Sequence, residues 1–398
     1  MPESRQMRWA SALSQRVNAR QALVEVADSI LGALGGPPDL VLLFVSTHYA
    51  SAYDSIPALA HALLSPRHLL GCSATGVIGG GKEVERSEAI SVIAARLPGV
   101  DLLPFYVDEA PHGPEADVWT EVTGVEAGDA RGFLWMVDPL SVDAEGMLRS
   151  FDAAYPQVAK IGGLLSGLEE PGEGVLFLGD RALRQGAIGL GLRGRIELRT
   201  MVAQGCRPIG EPMIITRCRD SVIYELNVGK PVEALQRLIE RLEPRDQELC
   251  RHSLFVGIEM QKSAHRYGQG DFLVRTLGGL EPKKGAMQVQ GRCENYQVVQ
   301  FMLRDARTSA QDLELRLAEF QRTLKGATPR AGLLFSCVGR GQELYGVPNH
   351  DSDLFCRQLG ALPLGGFFAN GEIGPVGGQT FLHGYTSVFG VVTEGSGN

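Results

Sequence analysis

The chain has 398 residues, 44% of them hydrophobic and 21% charged, a balance close to that of globular domains, which excludes a mainly disordered or fibrous chain. Its 46 acidic residues against 38 basic ones leave a formal charge of −8, which repels a phosphate backbone and argues against nucleic acid as a partner. At this length two modules are expected.

At the amino terminus, Arg5, Arg8 and Arg16 are interspersed with Trp9, Leu13 and Val17. That spacing predicts a short helical leader, and it lacks the continuous apolar core of an export signal. No stretch reaches the ~18 uninterrupted apolar residues of a membrane span, so no membrane association is expected. Next, Leu40 to Ser46 reads as a buried strand, Ser55 to Leu64 as a helix, Leu69 to Ala74 as a second strand and Ala89 to Leu97 as a third. This β-α-β-β order returns from Phe133, with a helix at Asp143 to Tyr155 and further strands at Ile161 to Gly167, Val175 to Leu178 and Ala187 to Leu192. The basic run Arg193 to Arg199 alternates as one strand with a solvated face would.

Pro208, Gly210 and Pro212 interrupt the pattern, which places the division between modules within Pro208 to Asn227. A strand-rich segment follows, at Leu254 to Glu259, Phe272 to Leu277, Met287 to Gln290 and Gln297 to Leu303, between helices at Val232 to Leu242 and Ala310 to Leu324. The β-α-β-β order then appears once more: strand Gly332 to Cys337, helix His350 to Leu359, strands Leu364 to Ala369 and Gly384 to Val392. An α+β fold is therefore expected, with pseudo-symmetric β-α-β-β units forming mixed or antiparallel sheets flanked by helices. The two modules are taken as residues 1–225 and 226–398.

The seven cysteines are an odd number without a CxxC pair, which predicts reduced thiols in a cytoplasmic protein and neither a disulfide frame nor a zinc site. No cofactor motif is present. Gly76 to Gly81 is glycine-rich after a strand but leads into charged Lys82 to Arg86 rather than a helix, so it is expected to be a hairpin or loop and not a dinucleotide cradle.

Several short patterns in fixed order resemble the FIST family of sensory domains. In the first half they are Leu42-Leu43-Phe44-Val45-Ser46, Leu70-Gly71-Cys72-Ser73-Ala74-Thr75-Gly76 and Gln204-Gly205-Cys206-Arg207-Pro208-Ile209-Gly210. In the second half they are Asp271 to Arg275, Gln300 to Asp305, Leu334 to Gly341, Pro348-Asn349-His350-Asp351, Gly366 to Gly378 and Phe381-Leu382-His383-Gly384. The resemblance implies an amino-terminal and a carboxyl-terminal FIST module that senses a small ligand, with amino acids among the candidates, and signals through a separate protein. Met302 stands where the family pattern has a histidine, so no polar contact is expected there. With little sequence beyond Val392, no output domain is expected.

Candidate site residues concentrate in the terminal block. The planar donor fork of Arg340 suits a carboxylate, while Ser336, Asn349, Asp351, Gly371 and Glu372 suit an ammonium or hydroxyl group. The alternative for Arg340 is an internal pair with Asp351 or Glu372, and for Asn349 or Asp351 a helix cap. His350 and His383 are candidate hydrogen-bonding groups, and Cys72, Ser73 and Arg207 are candidates from the first half. Cys337 with His350 and Asp351 supplies a thiol, a base and an orienting acid, which keeps a hydrolase or transferase open; packing is the bland role for that cysteine. A scaffold without a small ligand is the third possibility.

Overall fold

The computed structural model describes residues 6–109, 116–261 and 267–395. Its first element, Arg8–Ser14, is a β-strand rather than the expected helical leader. Residues four apart share a face in both a strand and a helix, so Trp9 and Leu13 fit either period. Antiparallel pairing with Ile90–Arg96 selects the strand. Arg5 lies outside the described residues. A helix follows instead over Ala19–Leu34, where the Asn18 side chain accepts from the Gln21 N–H and Gly35 ends the last turn in the left-handed region.

The chain divides into two compact units, one holding the segments up to Val202, Leu315–Leu382 and from Thr386 onward, the other holding Ala203–Glu314 and His383–Tyr385. The expected α+β class holds, and its pseudo-symmetry is visible in the first unit as three six-stranded sheets of one plan. Each sheet centres on a parallel pair: Leu40–Ser46 with His68–Ala74, Ala130–Val137 with Lys160–Leu164, and Pro329–Cys337 with Leu364–Ala369. On one side of each pair an antiparallel strand follows, Ile90–Arg96, Ala187–Gly194 and Thr386–Glu394 in turn. On the other side sits a two-stranded hairpin that comes from a different repeat. Gly76–Gly79 and Lys82–Glu85 join the third sheet, Leu176–Leu178 and Arg181–Leu183 the first, and Glu372–Val376 with Gln379–His383 the second. The glycine-rich stretch after Ala74 is thus a hairpin, as expected, and it is built into a sheet.

One residue type recurs in all three parallel pairs for a steric reason. Gly71, Gly162 and Gly366 face Leu43, Trp135 and Leu334, and a Cβ on them would lie 1.8, 1.9 and 1.8 Å from those residues' carbonyl oxygens. No side chain fits at that approach. The repeats therefore share a register that can be read position by position.

The basic run Arg193 to Arg199 contains a turn: Ala187–Gly194 ends at Gly194 and Ile196–Gln204 begins a new strand. Arg193 pairs with Asp101 and Arg199 with Glu197. Among the described residues, no helix is long and apolar enough to cross a membrane.

The second unit is a closed barrel of six strands, Cys206–Arg219, Val222–Leu226, Leu254–Glu259, Phe272–Glu281, Ala286–Val289 and Val298–Arg304. Its interior is filled by Ile209, Ile215, Ile223, Val256, Phe301 and Leu303, all buried. Pro208 to Asn227, the stretch expected to hold the module division, forms its first two strands. The Pro-Gly-Pro interruption makes an irregularity in the register between Ile209 and Met213, and a strand tolerates proline at such a place.

Candidate functional site

The candidate residues of the terminal block meet at the end of the third sheet. Strand Pro329–Cys337 delivers Ser336, a short helix Gly341–Tyr345 follows Arg340, and helix His350–Leu359 begins with His350 and Asp351. Strand Thr386–Glu394 brings Ser387 opposite Ser336. Arg340 and Asp351 are 0% and 1% exposed. The guanidinium binds its carboxylate through Nε to Oδ2 at 3.1 Å and Nη2 to Oδ1 at 3.3 Å. Nη2 also donates to the Tyr345 hydroxyl, over whose ring the guanidinium lies at 5.5 Å. Asp351 accepts further from the Ser387 hydroxyl at 2.5 Å and the Ser336 hydroxyl at 3.4 Å, and its Oδ1 lies 3.0 Å from Nδ1 of His350. The His350 ring stacks on Tyr345 with centroids 3.6 Å apart.

Electrostatics follow from this geometry. Burial opposes both charges, but each overcomes it in the other: Arg340 is held above the usual arginine range and Asp351 below the usual carboxylate range. Two more buried carboxyls lack such a partner. Burial pushes Glu372 up to about 8, against the Thr386 hydrogen bonds and the more distant pull of Arg340. Burial and the Asp351 charge push Glu83 up to about 8 as well. Glu372 receives the Thr386 backbone N–H at 3.1 Å and its hydroxyl at 2.8 Å, both on Oε2. Its Oε1 and Nη1 of Arg340 are buried without a hydrogen-bond partner among the described residues.

The hairpin from the first repeat closes the cluster. Glu83 Oε1 accepts the Ser352 N–H at 2.6 Å, and the Glu83 N–H donates to Asn349 Oδ1 at 2.7 Å. Glu85 Oε1 accepts the Gln342 N–H at 2.9 Å. The hairpin's two carboxylates thus satisfy backbone donors in the first turn of each helix, the role a local capping side chain would fill. Asn349 sits in the left-handed region, and its side chain makes no cap bond to its own helix. Arg86 adds a surface pair with Glu343.

The polar lining is specific to this repeat. Counted from the glycine position, the Ser336–Ser387 pair corresponds to Val45–Ile90 in the first sheet and Val137–Ala187 in the second. At this pair the same backbone closes with apolar side chains twice, so two buried hydroxyls here are not a requirement of the fold.

The structure therefore brings together Ser336, Cys337, Arg340, Asn349, His350, Asp351 and, through its buried carboxyl, Glu372 beside Gly371. Cys337 ends the strand, and its carbonyl accepts the Arg340 N–H at 2.8 Å. His350 is oriented by an acid as a catalytic base would be, but that acid is already committed to Arg340. Cys72 and Ser73 lie in the first sheet. Cys72 is fully buried with its thiol pushed up by desolvation, and Ser73 Oγ accepts the Val175 N–H at 3.0 Å. Arg207 and His383 belong to the second unit, where Arg207 pairs with Asp246 at 2.6 Å and Asp305 at 3.2 Å. Glu83, Glu85, Tyr345, Ser352, Thr386 and Ser387 escaped sequence reasoning. For Ser387 a signal existed, because aligning the repeats sets it against Ile90 and Ala187; for Glu83 no local signal distinguishes a buried glutamate in a charged run.

Comparison with known proteins agrees with the motifs. Residues 39–228 match the FIST N domain and residues 231–375 the FIST C domain. An uncharacterized protein from Mycobacterium tuberculosis is 35% identical over 382 residues, covering 96% of this chain and 98% of the relative. An F-box/LRR-repeat protein from Arabidopsis thaliana is 30% identical over 112 residues, covering 25% of this chain and 21% of its own. Among solved structures, a cyanuric acid hydrolase from A. caulinodans aligns at 9% identity with a TM-score of 0.38, covering 98% of this chain and 100% of that one. With two family domains spanning most of its length and a relative similar from end to end, the chain belongs to the FIST family, whose domains are associated with sensory and signal-transduction roles.

Proposed function

We propose that this protein is a cytoplasmic sensor that binds a small polar metabolite at the Arg340–Asp351–Glu372 cluster and passes its occupancy to a separate signalling protein. The observation that carries this is the pair of buried, unpartnered polar atoms, Arg340 Nη1 and Glu372 Oε1, in a cluster whose Ser336–Ser387 pair is apolar in the two other repeats. Buried polar groups are nearly always hydrogen-bonded, and departures from that rule gather where something else binds. The partial match to an F-box/LRR-repeat protein supports an output through a partner. The negative net charge and the absence of a membrane-crossing helix among the described residues favour neither nucleic acid nor bilayer.

Isothermal titration calorimetry of the full chain against amino acids and other small polar metabolites tests this. Binding is expected in the wild type and lost when Ser336→Val and Ser387→Ala give the site the lining of the second repeat. If no metabolite binds, or the double variant binds equally well, the cluster is not a sensory site. One observation favours the scaffold instead: Asp351 and Tyr345 already fill most of the Arg340 fork. A chain that binds no metabolite yet retains its signalling partner would be that scaffold.

A further inference from the structure

The cluster holds three buried carboxyl groups, Glu83, Asp351 and Glu372, around one buried guanidinium. Asp351 takes that guanidinium bidentately. The fork that suits a ligand carboxylate is therefore occupied by the chain's own carboxylate, and an incoming anion would meet Glu83 and Glu372 with little unspent positive charge to hold it. Two groups are left over, an acceptor on Glu372 that lacks a donor and the Nη1 of Arg340 that lacks an acceptor. Glu372 Oε1 is a fully buried acceptor without a hydrogen-bond partner, while its Oε2 is held by Thr386. The described residues contain no group of three or more His, Cys, Asp or Glu side chains arranged to hold a metal ion.

We propose that the ligand presents a cationic nitrogen, an ammonium or amidinium group, to Glu372, rather than a carboxylate to Arg340. This rests on the sensory reading of the same site and narrows its ligand class. On binding, Glu372, neutral in the empty site because it is buried, releases its proton to solvent and takes the N–H group on Oε1, so that charge meets charge away from water. Arg340 Nη1 offers its two remaining N–H groups to a neutral acceptor elsewhere on the ligand, such as a carbonyl or hydroxyl. Asp351 stays paired with Arg340 throughout and does not exchange partners.

The test uses the full chain and four simple probes, ethylammonium, acetamidinium, acetate and acetamide, followed by saturation-transfer NMR. The two cations are expected to bind, and Glu372→Gln to weaken them by about tenfold or more, the loss of one charge-assisted hydrogen bond. That variant keeps the shape of the side chain and should fold, as circular dichroism will verify. Glu25→Gln, at a surface carboxylate outside the cluster, is the control and is expected to leave the cations' affinity intact; Glu83→Gln is measured beside it. If acetate or acetamide binds while the cations do not, the ligand class is wrong although the site still binds. If cations bind but only Glu83→Gln weakens them, the assignment to Glu372 is wrong. If all four probes and the metabolite panel fail, the sensory reading falls with it.

Discussion

Arg340 and Asp351, eleven positions apart in sequence, form a two-bonded ion pair with both side chains at or below 1% exposure. Removing one partner leaves the other charged and dry. Arg340→Met and Asp351→Leu should each destabilise the protein by about 3–5 kcal/mol. The double variant Arg340→Met with Asp351→Leu should cost clearly less than the sum, since no charge is stranded. Urea unfolding of the four proteins measures the cycle; additive losses would show that the pair is not coupled.

The hydroxyls on Asp351 contribute separately. Ser387→Ala removes the 2.5 Å hydrogen bond to a buried carboxylate and should cost about 1.5–3 kcal/mol. Ile90 in the first sheet occupies the equivalent position without such a bond, so Ile90→Ala should lose stability by cavity formation alone. Comparing the two variants at neutral and acidic pH separates the mechanisms. The Ser387 hydroxyl helps hold Asp351 ionised, so only the serine variant's loss is expected to shrink as acid protonates that carboxyl in the folded protein.

Stability should fall as the solution becomes more alkaline. Glu372 ionises near 4.5 when unfolded and near about 8 when folded, because burial keeps it neutral. Between those values the native state holds a proton the unfolded chain has released. The contribution is complete below the unfolded value and is lost as pH rises through the folded one. Glu83 acts in the same direction. Glu372→Gln, which cannot ionise, should flatten the decline in denaturant midpoint between pH about 5 and 9. An unchanged slope would mean that Glu372 is already ionised in the folded protein.

Gly341 has φ of +70°, and a Cβ there would lie 2.4–2.6 Å from the Glu85 carboxylate. Gly341→Ala should therefore destabilise the protein by about 1–3 kcal/mol, combining backbone strain with the clash. In a Glu85→Ala background the same substitution should cost less, because only the strain remains. Thermal unfolding of the single and double variants reads the difference.

Much of this architecture was legible from apolar runs. The strand at Leu40, the helix at His350 and the repeated β-α-β-β order are local patterns, and burial on both faces of a strand writes itself into sequence as an unbroken apolar run. The helical leader failed because Trp9 and Leu13 satisfy two periods at once, and pairing with a strand some eighty residues on decided between them. The barrel was visible as strands but not as a closed ring, since closure depends on partners such as Cys206 and Arg304 that are far apart in sequence. In the site, Arg340, Asp351 and Glu372 stood out because they lie in the family-like terminal block and carry charges that suit a small polar ligand. Glu83 and Glu85 did not, because their function comes from a hairpin that crosses to another repeat's sheet.

That crossing governs how the first unit can assemble. Each of the three hairpins leaves the repeat that encodes it and completes a neighbour's sheet, so the exchange runs once around a ring. A single third cut from the chain would keep its parallel pair but lose the strands that shield one edge, and bare edges invite aggregation. The contacts that close the ring join distant stretches of chain, a topology associated with slow folding. The three thirds are thus expected to gain or lose structure together, which makes the sheet system a single cooperative body despite its repetitive sequence.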